Sequence, residues 1–364
     1  MIYCDKIKYG ILASEEAKFS EAVDDLLAQL SENESVFRLI FFGRPSNNEE
    51  YLERYAVLHE KAKCHFGSKT PALTYVAQPA LSATFILEVH SYIPEEGESL
   101  FYKSENGFRY VLLENKSGKF LFAGAFHGQA ITDPIEKQSV DAFLQVENVL
   151  RKEKFPTNSI IRQWNYIEKI TAFDGINQHY QSFNNARADF YAKTAWAKGY
   201  PAATGIGASM GGVLIDFDAA VLASEKDFIV PIDNRLQVAA HAYSERVLEN
   251  AFSQKKTPKF ERAKSLTIDG RRIIYVSGTA AIRGEDSLKG VGLSEQLRIT
   301  MENIEELISG AKLSLLRVYL KDGGDYEESK NLLDAMYPGI PISYMWADVC
   351  RDELLIEIEG VAIG

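Results

Sequence analysis

The sequence is poor in cysteine, and its few cysteines are widely separated. Cys4, Cys64 and Cys350 are the only three in 364 residues. This number and spacing exclude a disulfide framework and a CxxC metal site, so reduced thiols are expected. The six histidines show no ligand spacing such as HExxH, and no Ser-His-Asp or Cys-His arrangement can be assembled. The sequence therefore predicts no metal, no cofactor and no covalent nucleophile.

Long apolar runs and clusters of basic residues are also missing. The N-terminal sequence MIYCDKIKYGILASEEAKF mixes charged with apolar side chains, unlike a signal peptide or a membrane span. The net charge is -11 and the lysines and arginines form no run, which opposes binding to nucleic acid. We expect a cytoplasmic protein with neither a nucleic acid nor a membrane as its partner.

What the chain does contain is the composition of a folded protein. Hydrophobic residues make up 46% and charged residues 25% of the sequence. A length of 364 residues exceeds the usual size of a single core, so two domains are expected. The glycines of GIGASMGG precede the strand-like VLIDFDAAV, whereas a phosphate-binding loop opens a helix. They predict a glycine-rich hairpin.

The same order of elements occurs twice along the chain. A strand ending near a glycine (GKFLFAGA, then GRRIIYVSGT) is followed by an amphipathic helix, a second strand, a second helix and closing strands. Tyr166 in the earlier copy pairs with Tyr319 in the later copy, at an offset of 153. In the closing strands, Asp216 pairs with Glu357 at an offset of 141. The chain is therefore predicted to contain an internal duplication.

Each copy predicts a mixed sheet with two helices packed on one face, which places the protein in the α+β class. The polar stretch 223–227 marks a boundary between two domains. The predicted N-terminal domain covers 1–225 and includes additional strands, and the predicted C-terminal domain covers 226–364. The additional strand candidates are SVFRLIFFG, ALTYVAQPAL and TFILEVHSY.

The later copy resembles the YjgF/RidA-like family, the reactive intermediate deaminases, in YVSGTAAI, MENIEELI, RVYLKD and IEIEGVA. Two such units in tandem behind a long N-terminal extension resemble the chorismatases of the FkbO/Hyg5 type. Further matching segments are IIRQWNYIE, YPAATGIGA and ADVCRDELLIEIEG. In the strand IPISYMWADV, Ile342 and Ser343 stand where the deaminases carry a carboxylate-binding arginine. The chorismatase resemblance is therefore the better guide to function.

This resemblance implies an enzyme that cleaves the enolpyruvyl ether of chorismate and releases pyruvate. Protonation of the vinyl methylene carbon gives an oxocarbenium ion. Displacement of the ether oxygen by the ring hydroxyl then leads through an arene oxide to a hydroxybenzoate, with 3-hydroxybenzoate expected ahead of 4-hydroxybenzoate. Capture by water leads instead to a dihydroxycyclohexadiene carboxylate. The alternative of another class is a RidA-like protein that binds or deaminates small imines or keto acids.

Glu357 matches the glutamate that the resemblance marks as the general acid. That role requires burial to raise the pKa of the carboxyl group from about 4.3 toward 6 or 7. In LLIEIEG, however, Glu357 and Glu359 alternate with isoleucines. This pattern also fits the solvent-facing side of a half-buried strand. The sequence leaves both interpretations open.

Cys350 and Ala263 bear on the product. The resemblance associates a cysteine at the position of Cys350 with hydroxybenzoate formation, although a buried thiol is also an ordinary small hydrophobic residue. Ala263 stands where the hydroxybenzoate-forming enzymes tend to have a smaller residue. We expect both residues to belong to the site.

Four more residues are expected to contact the substrate. Tyr180 and Arg187 are seven residues apart, on one face of a predicted helix, and resemble a substrate-binding pair of the family. The planar guanidinium suits a carboxylate, although Arg187 also fits a surface pair with Asp189 or Glu168. Tyr243 and Arg262 lie in the segment that leads into the later copy. For the assembly, a homo-oligomer such as a trimer and a monomer of pseudo-symmetric units are both open.

Overall fold

The computed structural model describes residues 1–242 and 256–364. Within these ranges, three units of the same topology follow one another, each a sheet with helices packed on one face. The α+β class and the repeated unit predicted from the sequence are confirmed. No helix in the described ranges is long and apolar enough to cross a membrane.

The first unit forms a four-stranded sheet. Its helix α2 packs Val23, Leu26 and Leu27 against the sheet, and α3 begins where the side chain of Asn47 accepts a hydrogen bond from the backbone N–H of Glu50. The strand order is β1-β4-β2-β3. The elements are α1 (Tyr3–Lys6), β1 (Ile7–Ser14), α2 (Phe19–Ala28), β2 (Ser35–Phe42), α3 (Asn48–Phe66), β3 (Ala72–Val76) and β4 (Phe85–Tyr92).

The second unit forms a six-stranded sheet in the order β11-β8-β12-β7-β6-β5. Its helices α4 and α5 bury Phe143, Phe183 and Phe190 in one aromatic core. The elements are β5 (Ser99–Glu105), β6 (Phe108–Asn115), β7 (Gly118–Phe126), α4 (Ile135–Lys152), β8 (Ile160–Glu168), β9 (Phe173–Asp174), β10 (Asn177–Gln178), α5 (His179–Tyr191), β11 (Ala202–Ala208) and β12 (Val213–Leu222).

The third unit forms another six-stranded sheet, in the order β13-β14-β15-β20-β18-β19. Its helix α6 buries Leu297, Met301 and Ile304 against the isoleucines of β20. The elements are β13 (Phe228–Ile232), β14 (Ala263–Ile268), β15 (Arg271–Thr279), β16 (Ile282–Arg283), β17 (Asp286–Ser287), α6 (Leu293–Ile308), β18 (Lys312–Leu320), α7 (Tyr326–Met336), β19 (Ile342–Trp346) and β20 (Ile356–Ile363).

The described residues contain three copies of the repeat, whereas the sequence indicated two. In each unit the closing strand lies between the two strands that flank the first helix: β4 between β1 and β2, β12 between β7 and β8, and β20 between β15 and β18. The N-terminal strand candidates are strands, but they form a sheet of their own instead of extending the next one. The predicted boundary at residue 225 falls between β12 and β13 and remains a prediction.

The strand register also corrects the pairing of the closing strands. Tyr166 lies opposite Leu214, and Tyr319 lies opposite Glu357. Glu357 therefore corresponds to Leu214, and Asp216 corresponds to Glu359. The predicted pairing of Asp216 with Glu357 is wrong by two residues. The predicted glycine-rich hairpin is wrong as well, since β11 and β12 pair not with each other but with opposite edges of β8.

Buried ion pairs join the three units to one another. Each unit supplies an arginine that reaches a carboxylate of a neighbouring unit, so the three interfaces close into a ring. Removing one member of a buried pair typically costs about 3–5 kcal/mol, because the other charge is left unpaired. The pairs are Arg38 with Asp218, Arg162 with Glu359, and Arg317 with Glu88.

Candidate active site

A cavity that opens to solvent lies between the second and third units. The second unit contributes one face of α5 and the glycine-containing strand β11. The third unit contributes the end of β15, the loop before β20 and the start of that strand. Its lining residues are Gln178, Tyr180, Gln181, Asn184, Arg187, Ala203, Gly205, Pro258, Phe260, Arg262, Gly278, Ala280, Ile282, Cys350, Arg351, Leu354 and Glu357.

Glu357 reaches this cavity because side chains alternate along β20. Ile356 and Ile358 point into the core beneath α6, so Glu357 and Glu359 point to the opposite face, toward the second unit. That face is covered, and Glu357 is only 6% exposed. The alternative of a solvent-facing strand is therefore wrong. Gly278 leaves room for the carboxyl group, since a Cβ there would overlap its Oε1 atom.

The surroundings of Glu357 favour the protonated form of its carboxyl group. Burial, followed by the nearby carboxylate of Glu359, raises the pKa of Glu357 to about 8 against the lowering effect of Arg262, Arg162 and Arg351. No group in the described ranges donates a hydrogen bond to its carboxyl group. At neutral pH the side chain is therefore a protonated acid directed at the cavity.

Glu359 is held in a different way, by a set of donors. It accepts hydrogen bonds from Trp164 Nε1 at 3.0 Å and Tyr319 Oη at 3.1 Å, and it pairs with Arg317 at 2.7 Å. Arg162 and Thr204 of the second unit also bond to it. Such a network fixes the position of a buried charge. Glu359 is thus a fixed negative charge two residues away from Glu357.

The third unit alone has an acid at the position of Glu357. The equivalent strand pairs are Phe42 with Ile86 in the first unit, Tyr166 with Leu214 in the second and Tyr319 with Glu357 in the third. Each pair has an aromatic residue opposite the closing strand, but the other two closing strands carry an aliphatic side chain there. The three-unit ring therefore offers this acid at one of its interfaces.

Arg187 supplies a buried positive charge on the opposite wall. Its Nη2 donates to Asn184 Oδ1 at 2.6 Å, whereas its Nε has no partner. In the part of the chain that the structure describes, no carboxylate lies within 4.0 Å of this guanidinium. The alternative of a surface pair is wrong, because Asp189 bonds to Lys256 instead. Arg187 is therefore suited to bind an anionic ligand.

Tyr180 and Cys350 lie on the same cavity. The Tyr180 ring packs over Gly205, where a Cβ would come within 3.0 Å of the ring. Burial, with a smaller effect of Cys350, raises the pKa of Tyr180, so its hydroxyl remains a hydrogen-bond donor at neutral pH. Cys350 is partly buried in the loop before β20. Two predicted residues from different units are thus neighbours.

Arg262, Ala263 and Tyr243 differ in their placement. Arg262 lines the cavity, with its Nε and Nη2 donating to the carbonyl oxygen of Val238 at 3.3 and 3.0 Å. Ala263 begins β14 and points into the core on the other side of the strand, so a direct substrate contact is not supported. Tyr243 lies outside the described residues.

Several other lining residues were not among those predicted from the sequence. Arg351 follows Cys350 in the same loop and donates to Ser287 Oγ at 2.9 Å. Phe260 lies below the guanidinium groups of Arg262 and Arg187, at 5.7 and 5.9 Å from its ring centre. The one sequence feature that could have identified Arg351 and Phe260 is that each lies within two residues of a predicted site residue. Among the described residues, no three side chains of His, Cys, Asp or Glu form a metal-binding group.

Comparisons with known proteins relate this chain to the chorismatases. The family model described as "Chorismatase FkbO/Hyg5-like, N-terminal" matches residues 103–219. A solved chorismatase structure superposes with a TM-score of 0.71 and 19% identity over 98% of both chains. The chain has the fold of a chorismatase. The predicted resemblance to chorismatases is thereby confirmed.

Two curated relatives have chorismatase-type names. The chain is 31% identical to a 3-hydroxybenzoate synthase of Streptomyces hygroscopicus over 58% of its own length. It is 29% identical to a chorismatase of Streptomyces rapamycinicus over 56% of its length. These alignments span 65% and 64% of the two relatives, which is less than two thirds of either. The similarity to chorismatases is therefore established in sequence over part of the chain and in fold over nearly all of it.

Proposed function

We propose that this protein is an enzyme that cleaves chorismate to pyruvate and a hydroxybenzoate, with Glu357 as the general acid. The observation that carries this proposal is the protonated, unpaired carboxyl group of Glu357 in a cavity that also contains arginines. A vinyl ether is activated by protonation at carbon. An acid with a pKa near 8 keeps its proton at neutral pH and is positioned to deliver it.

The charge of the cavity fits a substrate with two carboxylates. Arg187, Arg262 and Arg351 line it, and Arg187 has an unpartnered Nε. Guanidinium groups bind carboxylates through paired N–H donors, which fixes the orientation of the ligand. The aromatic side chains of Tyr180 and Phe260 supply flat surfaces for a six-membered ring. We assign recognition of the carboxylates to the arginines and packing of the ring to the aromatic residues.

The reaction proceeds in two stages. The Glu357 proton adds to the methylene carbon of the enolpyruvyl group and gives an oxocarbenium ion. The neighbouring ring hydroxyl displaces the ether oxygen, the C–O bond electrons form the carbonyl group of pyruvate, and an arene oxide remains. Opening of the arene oxide and loss of a ring proton give the hydroxybenzoate, and one of the released protons restores Glu357. No water is consumed.

We place Cys350 beside the ring during the second stage and expect 3-hydroxybenzoate as the main product. What supports this choice is the position of the thiol on the same cavity as Glu357 and the name of one relative. Hydrolysis is the alternative: one water captures the oxocarbenium ion, and a dihydroxycyclohexadiene carboxylate is released with pyruvate. The two outcomes differ by one water in the mass of the ring product.

The test is incubation of the purified protein with chorismate in the presence of EDTA, followed by liquid chromatography and mass spectrometry. Equal amounts of pyruvate and 3-hydroxybenzoate are expected. Pyruvate with the dihydrodiol would retain ether cleavage and overturn the product assignment. Absence of turnover, together with hydrolysis of small imines, would replace the proposal with the RidA-like alternative.

A further inference from the structure

A second cavity lies at the interface between the first and second units. Strand register relates it to the candidate active site. Ala123 lies opposite Phe217 as Val276 lies opposite Gly360. The same register relates four pairs of lining residues: His127 and Ala280, Gln129 and Ile282, Gly211 and Leu354, and Leu214 and Glu357. The helix on the other wall contributes Tyr51, Leu52 and Tyr55 to the second cavity and, with the same spacing, Tyr180, Gln181 and Asn184 to the first.

The substitutions between the two cavities change their chemistry. Leu214 takes the place of the acid, so the second cavity has no proton donor equivalent to Glu357. Leu52 and Tyr55 replace two side-chain amides on the helix that forms the wall. The lining becomes more apolar and more aromatic. This environment favours binding of a flat apolar ring over its chemical conversion.

A positive charge and an unpartnered nitrogen lie near Tyr55, one of the residues that line this cavity. Within the described ranges, no carboxylate lies within 4.0 Å of Arg109. The ring of His59 is 4.1 Å from that of Tyr55, and its buried Nε2 has no hydrogen-bond partner. Burial, followed by the charge of Arg109, lowers the pKa of His59 to about 4, so the imidazole is neutral. A neutral imidazole is able to donate one hydrogen bond to an anion.

We propose that the second cavity is a non-catalytic binding site for a small aromatic monocarboxylate. The ring packs against Tyr55 and His127, and the carboxylate lies between Arg109 and His59. A monoanion is favoured over a dianion because no lysine or arginine is among the described residues that line this cavity and Arg109 acts from beside Tyr55, whereas three arginines line the other cavity. This binding does not depend on chorismate cleavage. It adds a ligand site at the interface between the first and second units, whereas Glu357 lies at the interface between the second and third.

Benzoate is a suitable probe, with benzyl alcohol as its neutral counterpart. Benzoate is titrated calorimetrically into the wild-type protein, Arg109→Met and Arg187→Met. Arg187→Met should retain one binding event, and Arg109→Met should weaken that event at least about tenfold, the usual effect of losing a hydrogen bond to a charged group. Benzyl alcohol should bind more weakly than benzoate. Chorismate turnover should be unchanged in Arg109→Met.

A second pair of variants tests the site independently, in case Arg109→Met does not fold. Leu52 is 50% exposed at the cavity, so substitutions there are tolerated by the core. Leu52→Glu places a negative charge beside the ligand and should weaken benzoate binding, whereas Leu52→Gln should not. The proposal is overturned if the wild-type protein does not bind benzoate. It is also overturned if the only binding event is lost in Arg187→Met and kept in Arg109→Met and Leu52→Glu.

Discussion

The fixed charge of Glu359 should set the pH range in which the enzyme works. Glu357 must be protonated to act as an acid, so the rate should fall as the pH rises through its pKa of about 8. Glu359→Gln removes one source of that raised pKa and leaves the neighbouring Arg162 without its carboxylate partner. Both changes favour the ionised form of Glu357. The alkaline limb of the pH–rate profile should therefore move to lower pH.

The size of the shift follows from the strand geometry. Residues two apart on one face of a strand are about 7 Å apart. Two unit charges at that distance repel by about 2.4 kcal/mol at an effective dielectric constant of about 20. Since 1.36 kcal/mol corresponds to one pH unit, the limb should move down by about 1 to 2 pH units.

The assay is pyruvate release from chorismate between pH 6 and pH 10 under saturating substrate. Circular dichroism and the unfolding midpoint show whether Glu359→Gln keeps its fold. A folded variant whose alkaline limb stays at the wild-type pH, or moves upward, would refute the assignment of Glu359 as the residue that tunes Glu357. A uniform loss of rate at every pH would point to a purely structural role for Glu359.

Four further predictions concern the same cavity. Gly278→Ala should lower kcat about 100-fold because the added methyl group displaces the Glu357 carboxyl, whereas Gly10→Ala, at an open position, should change nothing in a steady-state assay. Cys350→Ala should shift the product ratio away from 3-hydroxybenzoate, as measured by mass spectrometry. Arg187→Met should raise the KM for chorismate at least about tenfold, with a smaller effect on kcat. Glu357→Gln should be more stable than the wild type at pH 8 in thermal unfolding, with a gap that widens from pH 4.5 to pH 8, because the folded wild type retains a proton that the unfolded chain loses.

Local patterns in the sequence were enough to predict the class of fold and most of the acid-bearing site. Glu357, Cys350, Tyr180, Arg187 and Arg262 all line one cavity although they come from two units. Four of these five were selected because short segments around them resemble a known family. What those segments could not supply was burial: only the packed interface shows that a glutamate on an alternating strand faces a covered cavity.

The errors have physical causes too. Side chains on one face of a strand repeat every two residues. Aligning Asp216 with Glu357 instead of Glu359 therefore kept acidic residues opposite acidic ones and apolar residues opposite apolar ones, which concealed the two-residue error. The first unit escaped detection because Ile86 and its neighbours keep only the hydrophobic pattern of the repeat. Ala263 was placed in the site because the resemblance links its position to the product, but it directly follows the cavity-lining Arg262, and adjacent residues in a strand face opposite ways.

The measurement that bears most directly on the central claim compares Glu357→Gln with Glu353→Gln in chorismate turnover. Both variants remove one carboxyl group, but Glu353 does not line the cavity. Glu357→Gln should lose about 100-fold to 10,000-fold in kcat, the usual contribution of a general acid, while Glu353→Gln should keep the wild-type rate. Release of pyruvate by folded Glu357→Gln at the wild-type rate would contradict the assignment of Glu357 as the proton donor.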